Sequence, residues 1–279
     1  MFAETTALWD IHEPKPKIGA VIRCDKETLL RGEKAAEIRE LMEQRGVVVF
    51  PKIGMDDAEQ IAFTKTLGTF AREIRGEEVY KITMDVAENA YADYLKGAFF
   101  WHIDGTMSDM PILASLMTSK VLSEEGGDTD FCNTYAAYED LPATRKKEIE
   151  GLRVVHSFWN SQLYHKPEPT SAQLEEWMAL GTNELPLVWN HRSGRKSLVI
   201  GNTAQYVVGM DVMESAKLLH GLRDWATSEP FCYRHEWSVG DLVIWDNTGT
   251  MHRATPYALD SGRMMHRTKL AGEEPFDQA

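Results

Sequence analysis

Over residues 33–45 (EKAAEIRELMEQR), Ala35, Ile38, Leu41 and Met42 recur at helical spacing and share one face, and Gly46 follows as a C-terminal cap. Val47, Val48, Val49 and Phe50 then run into Pro51, the pattern of a short buried strand ended by proline. Residues 55–66 (MDDAEQIAFTKT) predict a second helix, with Ile61, Phe63 and the following Leu67 marking its apolar side. After about residue 95 the texture changes. Short apolar runs at 112–116, 152–155, 185–189, 198–201, 231–237 and 242–245 alternate with breakers such as EEGGD, HRSGRK and SVGD. Many short strands with glycine-rich connections predict a sandwich or barrel rather than alternating βαβ units. Helical segments are expected near 172–179 and 214–226, and 164–175, with Pro167 and Pro169, reads as a loop or lid. The expected architecture is one domain over 1–279, mainly β with flanking helices (α+β), in which a helical and strand part over about 1–95 packs on a β core over about 96–279.

Composition leaves that picture intact, since 43% hydrophobic residues and eight Trp supply a sizeable core. Charge narrows the partners: a formal net charge of -13 argues against a nucleic-acid partner, which requires clustered Lys and Arg. Cys24, Cys132 and Cys232 are far apart and form no CxxC pair, so neither a zinc knuckle nor a disulfide framework is expected. The start MFAETTALWD lacks a basic stretch followed by an apolar run, and no uncharged segment approaches the roughly 20 residues of a membrane helix. A reducing, cytoplasmic setting without membrane contact suits these features.

The candidate chemistry begins at Trp101-His102-Ile103-Asp104. On a strand, positions two apart point the same way, so His102 and Asp104 offer an imidazole and a carboxylate side by side. These are two parts of a 2-His-1-carboxylate triad, which leaves open positions on one side of a metal. Alone, a His-x-Asp pair is more often an ordinary hydrogen-bonded pair. A third ligand is expected from a distant strand, and His252 follows the apolar run 242–245 after a turn; a lone histidine at such a place is more often structural. Arg263, eleven residues beyond His252, and Arg267 are four apart, so on a strand both would face one interior. Two buried guanidinium groups need anions, and a guanidinium clamps a carboxylate bidentately. The plainer alternative is a pair of exposed arginines in surface salt bridges of little worth.

Taken together and in order, these residues resemble the taurine/2,4-dichlorophenoxyacetate dioxygenase family of Fe(II)/2-oxoglutarate-dependent oxygenases. The likeness extends through Gly126-Gly127-Asp128-Thr129, Ala136-Ala137-Tyr138-Glu139, Val154-Val155-His156-Ser157, Pro186-Leu187-Val188, Gly194 to Leu198 and Trp245-Asp246-Asn247, and covers the chain roughly from Gly46 onward. The resemblance implies a double-stranded β-helix, the cupin-like jelly roll. It further implies that His102, Asp104 and His252 are catalytic and hold Fe(II), and that Thr129 and Arg263 bind the distal carboxylate of the co-substrate 2-oxoglutarate. Arg267 would meet an acidic substrate, and O2 would be consumed with release of succinate and CO2. Asp104 favours hydroxylation, since related halogenases lack that carboxylate. Family members often form dimers or tetramers.

For the substrate, His156-Ser157, 198–202, Gly209-Met210-Asp211 and Asp224-Trp225-Ala226 look most like aryloxyalkanoate dioxygenases. Taurine enzymes carry a polar amide where this chain has Ala98, which disfavours a small zwitterionic sulfonate. Phe99, Phe100, Phe158 and Trp159 are expected to line an aromatic pocket with Arg267 as carboxylate anchor, unless they are simply core. The expected substrate is a small organic acid, aromatic or hydrophobic. Three alternatives stand beside it: a sulfonate- or sulfate-ester-cleaving member of the same family, a non-catalytic metal-binding jelly-roll sensor, and a zinc hydrolase, which leaves the paired arginines unexplained.

Overall fold

The computed structural model describes residues 8–73, 76–90 and 92–276. Its centre is the strand Val47–Phe50, buried on both faces. Val47 and Val49 join Phe131, Val243, Trp245 and Met265 in one apolar cluster, while Val48 and Phe50 join Ile38, Met42, Phe63, Leu116 and Ile244 in another. Side chains two apart share a face of a strand, so this tetrapeptide separates a barrel interior from a layer of helices. Those helices are Ala35–Arg45 and Asp57–Leu67. The first stops at Gly46, whose positive φ of 73° suits glycine. The second is opened by a capping box between Asp56 and Glu59.

Leu242–Asp246 lies between Val47–Phe50 and Ala114–Val121 and is antiparallel to both, and Ala114–Val121 pairs in turn with Met264–Leu270. These belong to an eight-stranded sheet. A second sheet pairs Thr129–Asn133 with Cys232–His235 on one side and Thr250–Ala254 on the other. A third sets Arg153–Ser157 between Thr182–Pro186 and Ala204–Val207. Helix Val212–Ala226 covers the latter through Leu218, Leu219 and Leu222. This is the double-stranded β-helix with flanking helices. Among the described residues no helix is long and apolar enough to cross a membrane.

Local pattern misplaced several boundaries. The run at 112–116 becomes a strand over Ala114–Val121 because polar Thr118 is buried and satisfied, its hydroxyl donating to Gln60 at 2.7 Å. The run at 185–189 divides into Thr182–Pro186 and Val188–Asn190. Helix Phe158–Leu163 had no apolar periodicity to announce it; the Ser157 hydroxyl accepts from Asn160 N and caps it. Residues 164–170 form the expected loop, but it ends at helix Ser171–Met178, capped by Thr170 and Gln173.

Asp246 is buried where the strand Leu242–Asp246 turns, and its Oδ1 accepts from Thr248 N (2.8 Å) and Oγ1 (2.6 Å). Burial pushes its carboxyl up to about 7, with the Thr248 bonds opposing. The raised value makes the contribution to stability fully present below an ordinary carboxyl pKa and lost as pH rises through about 7, because the folded state must then carry a buried anion. Asp246→Asn, which keeps an acceptor for Thr248, should flatten the decline in unfolding free energy between about pH 4 and pH 7, the span between the ordinary carboxyl value and the raised one. Urea titrations showing an unchanged slope would refute this.

Candidate active site

His102 and His252 are held opposite each other by the backbone. His102 N donates to His252 O at 3.0 Å and His252 N to His102 O at 2.9 Å, an isolated antiparallel bridge. Contrary to the sequence reading, Trp101 to Asp104 therefore form no continuous strand; one bridge suffices to present both side chains. Asn202 N ties Trp101 O at 2.8 Å, and Gly201 lets the chains approach: a Cβ there would lie 3.2 Å from His102 Cα. The ligating atoms of His102, Asp104 and His252 all lie within 4.8 Å of one another. Nε2 of His102 is 3.7 Å and Nε2 of His252 3.9 Å from Asp104 oxygens. Those separations exceed a hydrogen bond, so the three atoms surround a common point instead of pairing.

The protonation states suit a metal. His102 Nδ1 lies 2.8 Å from Phe100 O, a bond that needs the proton on Nδ1 and selects the tautomer whose Nε2 lone pair can bind a metal. Burial pushes His252 down to about 3, so its imidazole is neutral. Burial alone would raise Asp104, but His252, Arg267 and His102 outweigh it and hold the carboxyl near 2. Ser115 Oγ donates to Asp104 at 3.3 Å, Asn247 Nδ2 to Ser115 at 3.2 Å, and Trp245 Nε1 to Asn247 at 2.9 Å. The block Trp245-Asp246-Asn247 thus steadies the carboxylate. Two neutral nitrogens and one carboxylate can occupy one face of a divalent ion and leave its other face open.

The triad opens into a cavity of about 320 Å³ that Thr129, Arg263, Arg267 and Phe158 also line. Arg263 is 4% exposed. Its Nη2 donates to Gly127 O at 2.9 Å and its guanidinium lies 4.8 Å from the Tyr257 ring centroid, but Nε has no partner and no carboxylate among the described residues pairs with it. Burial lowers its pKa accordingly. Gly127, with φ +80°, makes the room: a Cβ there would sit 2.9 Å from Arg263 Nε. The Thr129 hydroxyl accepts from Trp237 Nε1 at 3.0 Å and keeps its own proton to donate. Arg267 is already paired, with Asp104 at 3.4 Å and Glu73 at 3.1 Å, and Lys269 holds the other Glu73 oxygen at 2.7 Å.

All six polar residues singled out in the sequence therefore meet at one cavity, and Phe158 lines it. Phe99 and Phe100 do not. Residues Tyr94–Phe99 form a 3-10 helix that turns Leu95, Gly97 and Ala98 toward the cavity. Phe99 packs on Tyr257 (5.5 Å between ring centroids) and Phe100 on Tyr164 (5.2 Å). Trp159 is also absent from the lining, since Phe158 and Ser161 occupy the facing side of helix Phe158–Leu163. Sequence reasoning missed Glu73, Tyr80, Trp237 and Tyr257. Glu73 sits in AREIRGEE, a charged stretch with no motif, and nothing local distinguishes it.

A jelly roll presenting two histidines and one carboxylate beside buried arginines defines a mononuclear metal oxygenase of the 2-oxoglutarate-dependent class. The chain matches the description "Taurine catabolism dioxygenase TauD, TfdA family" over residues 10–269, and it belongs to that family. It is 35% identical to the alpha-ketoglutarate-dependent 2,4-dichlorophenoxyacetate dioxygenase of Burkholderia sp. (strain RASC), over 85% of this chain and 86% of that protein. It is 30% identical to the (S)-phenoxypropionate/alpha-ketoglutarate-dioxygenase of Sphingobium herbicidovorans, over 97% and 98% of the two chains. Among solved structures, AAD-2 in complex with Mn(II) and N-oxalylglycine superposes with a TM-score of 0.82 at 30% identity, covering 96% of this chain and 99% of that one. The protein is thus a dioxygenase that uses Fe(II), 2-oxoglutarate (alpha-ketoglutarate) and O2.

Ser115→Ala removes the hydrogen bond that steadies Asp104 without touching a ligating atom. Metal affinity should fall about 10–100-fold, as for other supports of metal ligands. Titration with Mn(II) would measure it, and an unchanged affinity would show that Ser115 is a bystander.

Proposed function

We propose that this enzyme hydroxylates a C–H bond of an aromatic or hydrophobic carboxylate of the aryloxyalkanoate type, releasing succinate and CO2. The observation that carries the reading is Arg263: a buried guanidinium with no carboxylate partner among the described residues, opening into the same cavity as the triad. A dianionic keto acid supplies the missing counter-charge and reaches the metal from there. In this reading His102, Asp104 and His252 hold the iron. Arg263 and the Thr129 hydroxyl grip the far carboxylate of 2-oxoglutarate, and Arg267 takes the substrate carboxylate while Phe158 packs on its apolar part. Bound iron supplies the oxidising chemistry that a protein side chain cannot. Apolar side chains such as Ile82, Leu95 and Met117 line the cavity beside these polar groups. Hydroxylation at the carbon next to an ether oxygen gives a hemiacetal, which breaks to a phenol and an oxo acid. The chain acts as a single domain, in the cytoplasm, on a small molecule.

The test is a substrate panel in which succinate is measured together with the fragment released, phenol from aryloxyalkanoates and sulfate or sulfite from sulfate esters and sulfonates. Succinate coupled to phenol is expected; coupling to sulfate or sulfite instead would overturn the substrate assignment. Asp104→Ala should abolish succinate formation while the circular-dichroism spectrum is retained; wild-type turnover would refute the ligand set. Arg263→Ala should raise the KM for 2-oxoglutarate by tenfold or more, since a charge-assisted bond is worth about 1.5–3 kcal/mol. An unchanged KM would remove Arg263 from the co-substrate site.

A further inference from the structure

Arg267 differs from Arg263 in one respect that bears on substrate choice: its charge is already met. Nη1 lies 3.4 Å from Asp104 Oδ2 and Nη2 lies 3.1 Å from Glu73 Oε1, while Nε is buried without a partner. Once a metal shares Asp104, Glu73 remains as the guanidinium's own counterion. A carboxylate gripping Arg267 bidentately along its Nε edge needs Nη2 as its second donor, and Glu73 holds that atom. Glu73 itself is 10% exposed at its side chain and is bound at its other oxygen by Lys269, at 2.7 Å and 12% exposed. It can therefore release Arg267 without becoming an unpaired buried carboxylate, which would be costly.

We propose that Glu73 is the resident counterion of Arg267 and a determinant of substrate charge. The anionic head of the substrate takes the Nε–Nη2 edge of Arg267, and Glu73 gives up Nη2 and retreats onto Lys269. Glu73 thereby taxes every anionic substrate by the strength of the contact it surrenders, and leaves a neutral isostere, which need not displace it, untaxed. Lys269, which contacts no substrate, sets the size of that tax. The proposal rests on Arg267 being the substrate anchor, and the experiment separates the two.

Binding of phenoxyacetate and of its neutral isostere phenoxyacetamide would be measured by calorimetry on the anaerobic protein loaded with Fe(II) and 2-oxoglutarate, so that no turnover occurs. Glu73→Gln should tighten phenoxyacetate about tenfold, the scale of a charged hydrogen bond no longer competed for, and leave phenoxyacetamide unchanged. Lys269→Met should weaken phenoxyacetate several-fold when Glu73 is present, and have no effect in the Glu73→Gln background. Phenoxyacetate binding that is unchanged or weaker in Glu73→Gln would overturn the proposal, because Glu73 would then be inert or would hold Arg267 in place for the substrate. Equal tightening of the acid and the amide would overturn it too, since the pocket would merely have been enlarged. Arg267→Gln is the control for the underlying reading: it should erase the preference for acid over amide. If the preference survives, or if the wild-type protein binds neither ligand, the anchor assignment fails and the counterion proposal falls with it.

Discussion

The cavity buries Arg263, Arg267 and Asp104 beside two imidazoles, and a charge in a low-dielectric interior is tolerated only where opposite charge or hydrogen bonds are held against it. Each group meets that constraint differently. Asp104 stays ionised because the Arg267 guanidinium and the Ser115 hydroxyl are held against it. Arg267 stays charged because Asp104 and Glu73 more than offset its burial. Arg263 has no carboxylate in contact among the described residues; Gly127 O and Tyr257 hold it and Asp128 attracts it from farther off, but burial outweighs them and lowers its pKa. In the proposed reading a diacid co-substrate completes the balance, so that binding it and settling the electrostatics of the pocket become one event.

Holding such a site demands a rigid surround, and the strands supply it. Val47–Phe50 and Leu242–Asp246 are buried on both faces, so their register cannot slip without driving apolar side chains into the wrong layer. That register carries Trp245 and Asn247 to Ser115, and so to the carboxylate. His252 lies in the strand Thr250–Ala254, with its ring 4.7 Å from Trp245 and 6.1 Å from Phe131, between two large aromatic surfaces. His102 and Asp104, on an irregular segment, are fixed by the His102 bridge to His252 and by the close approach of Gly201. Rigid strand on one side and pinned loop on the other leave the metal position little freedom.

The side proposed for the substrate is built differently. Phe158 comes from a short helix, Leu95 and Ala98 from a 3-10 turn, and Glu73 from a connection between the strands Phe70–Ala71 and Tyr80–Ile82. Such connecting segments vary more readily than a sheet. One scaffold can therefore keep its metal and co-substrate chemistry while the groups that judge the substrate change.

What the chain determined unaided was whatever depends on short-range order or on an ordered set of rare residues. The helix before Gly46, the buried tetrapeptide after it and the strand-rich remainder follow from periodicity, because a side chain's direction repeats every 3.6 or 2 residues. His102, Asp104, Thr129, His252, Arg263 and Arg267 were legible because their types and order already describe one chemistry. Folding decided the rest. Whether Phe99, Phe100 or Phe158 faces the cavity turns on a 3-10 helix that places neighbouring residues on different sides, which aromatic content does not encode. The partnership of Glu73 with Arg267 joins residues 194 positions apart, and no local pattern marks a carboxylate as the counterion of one arginine. Only the closing of the sheet brings them together.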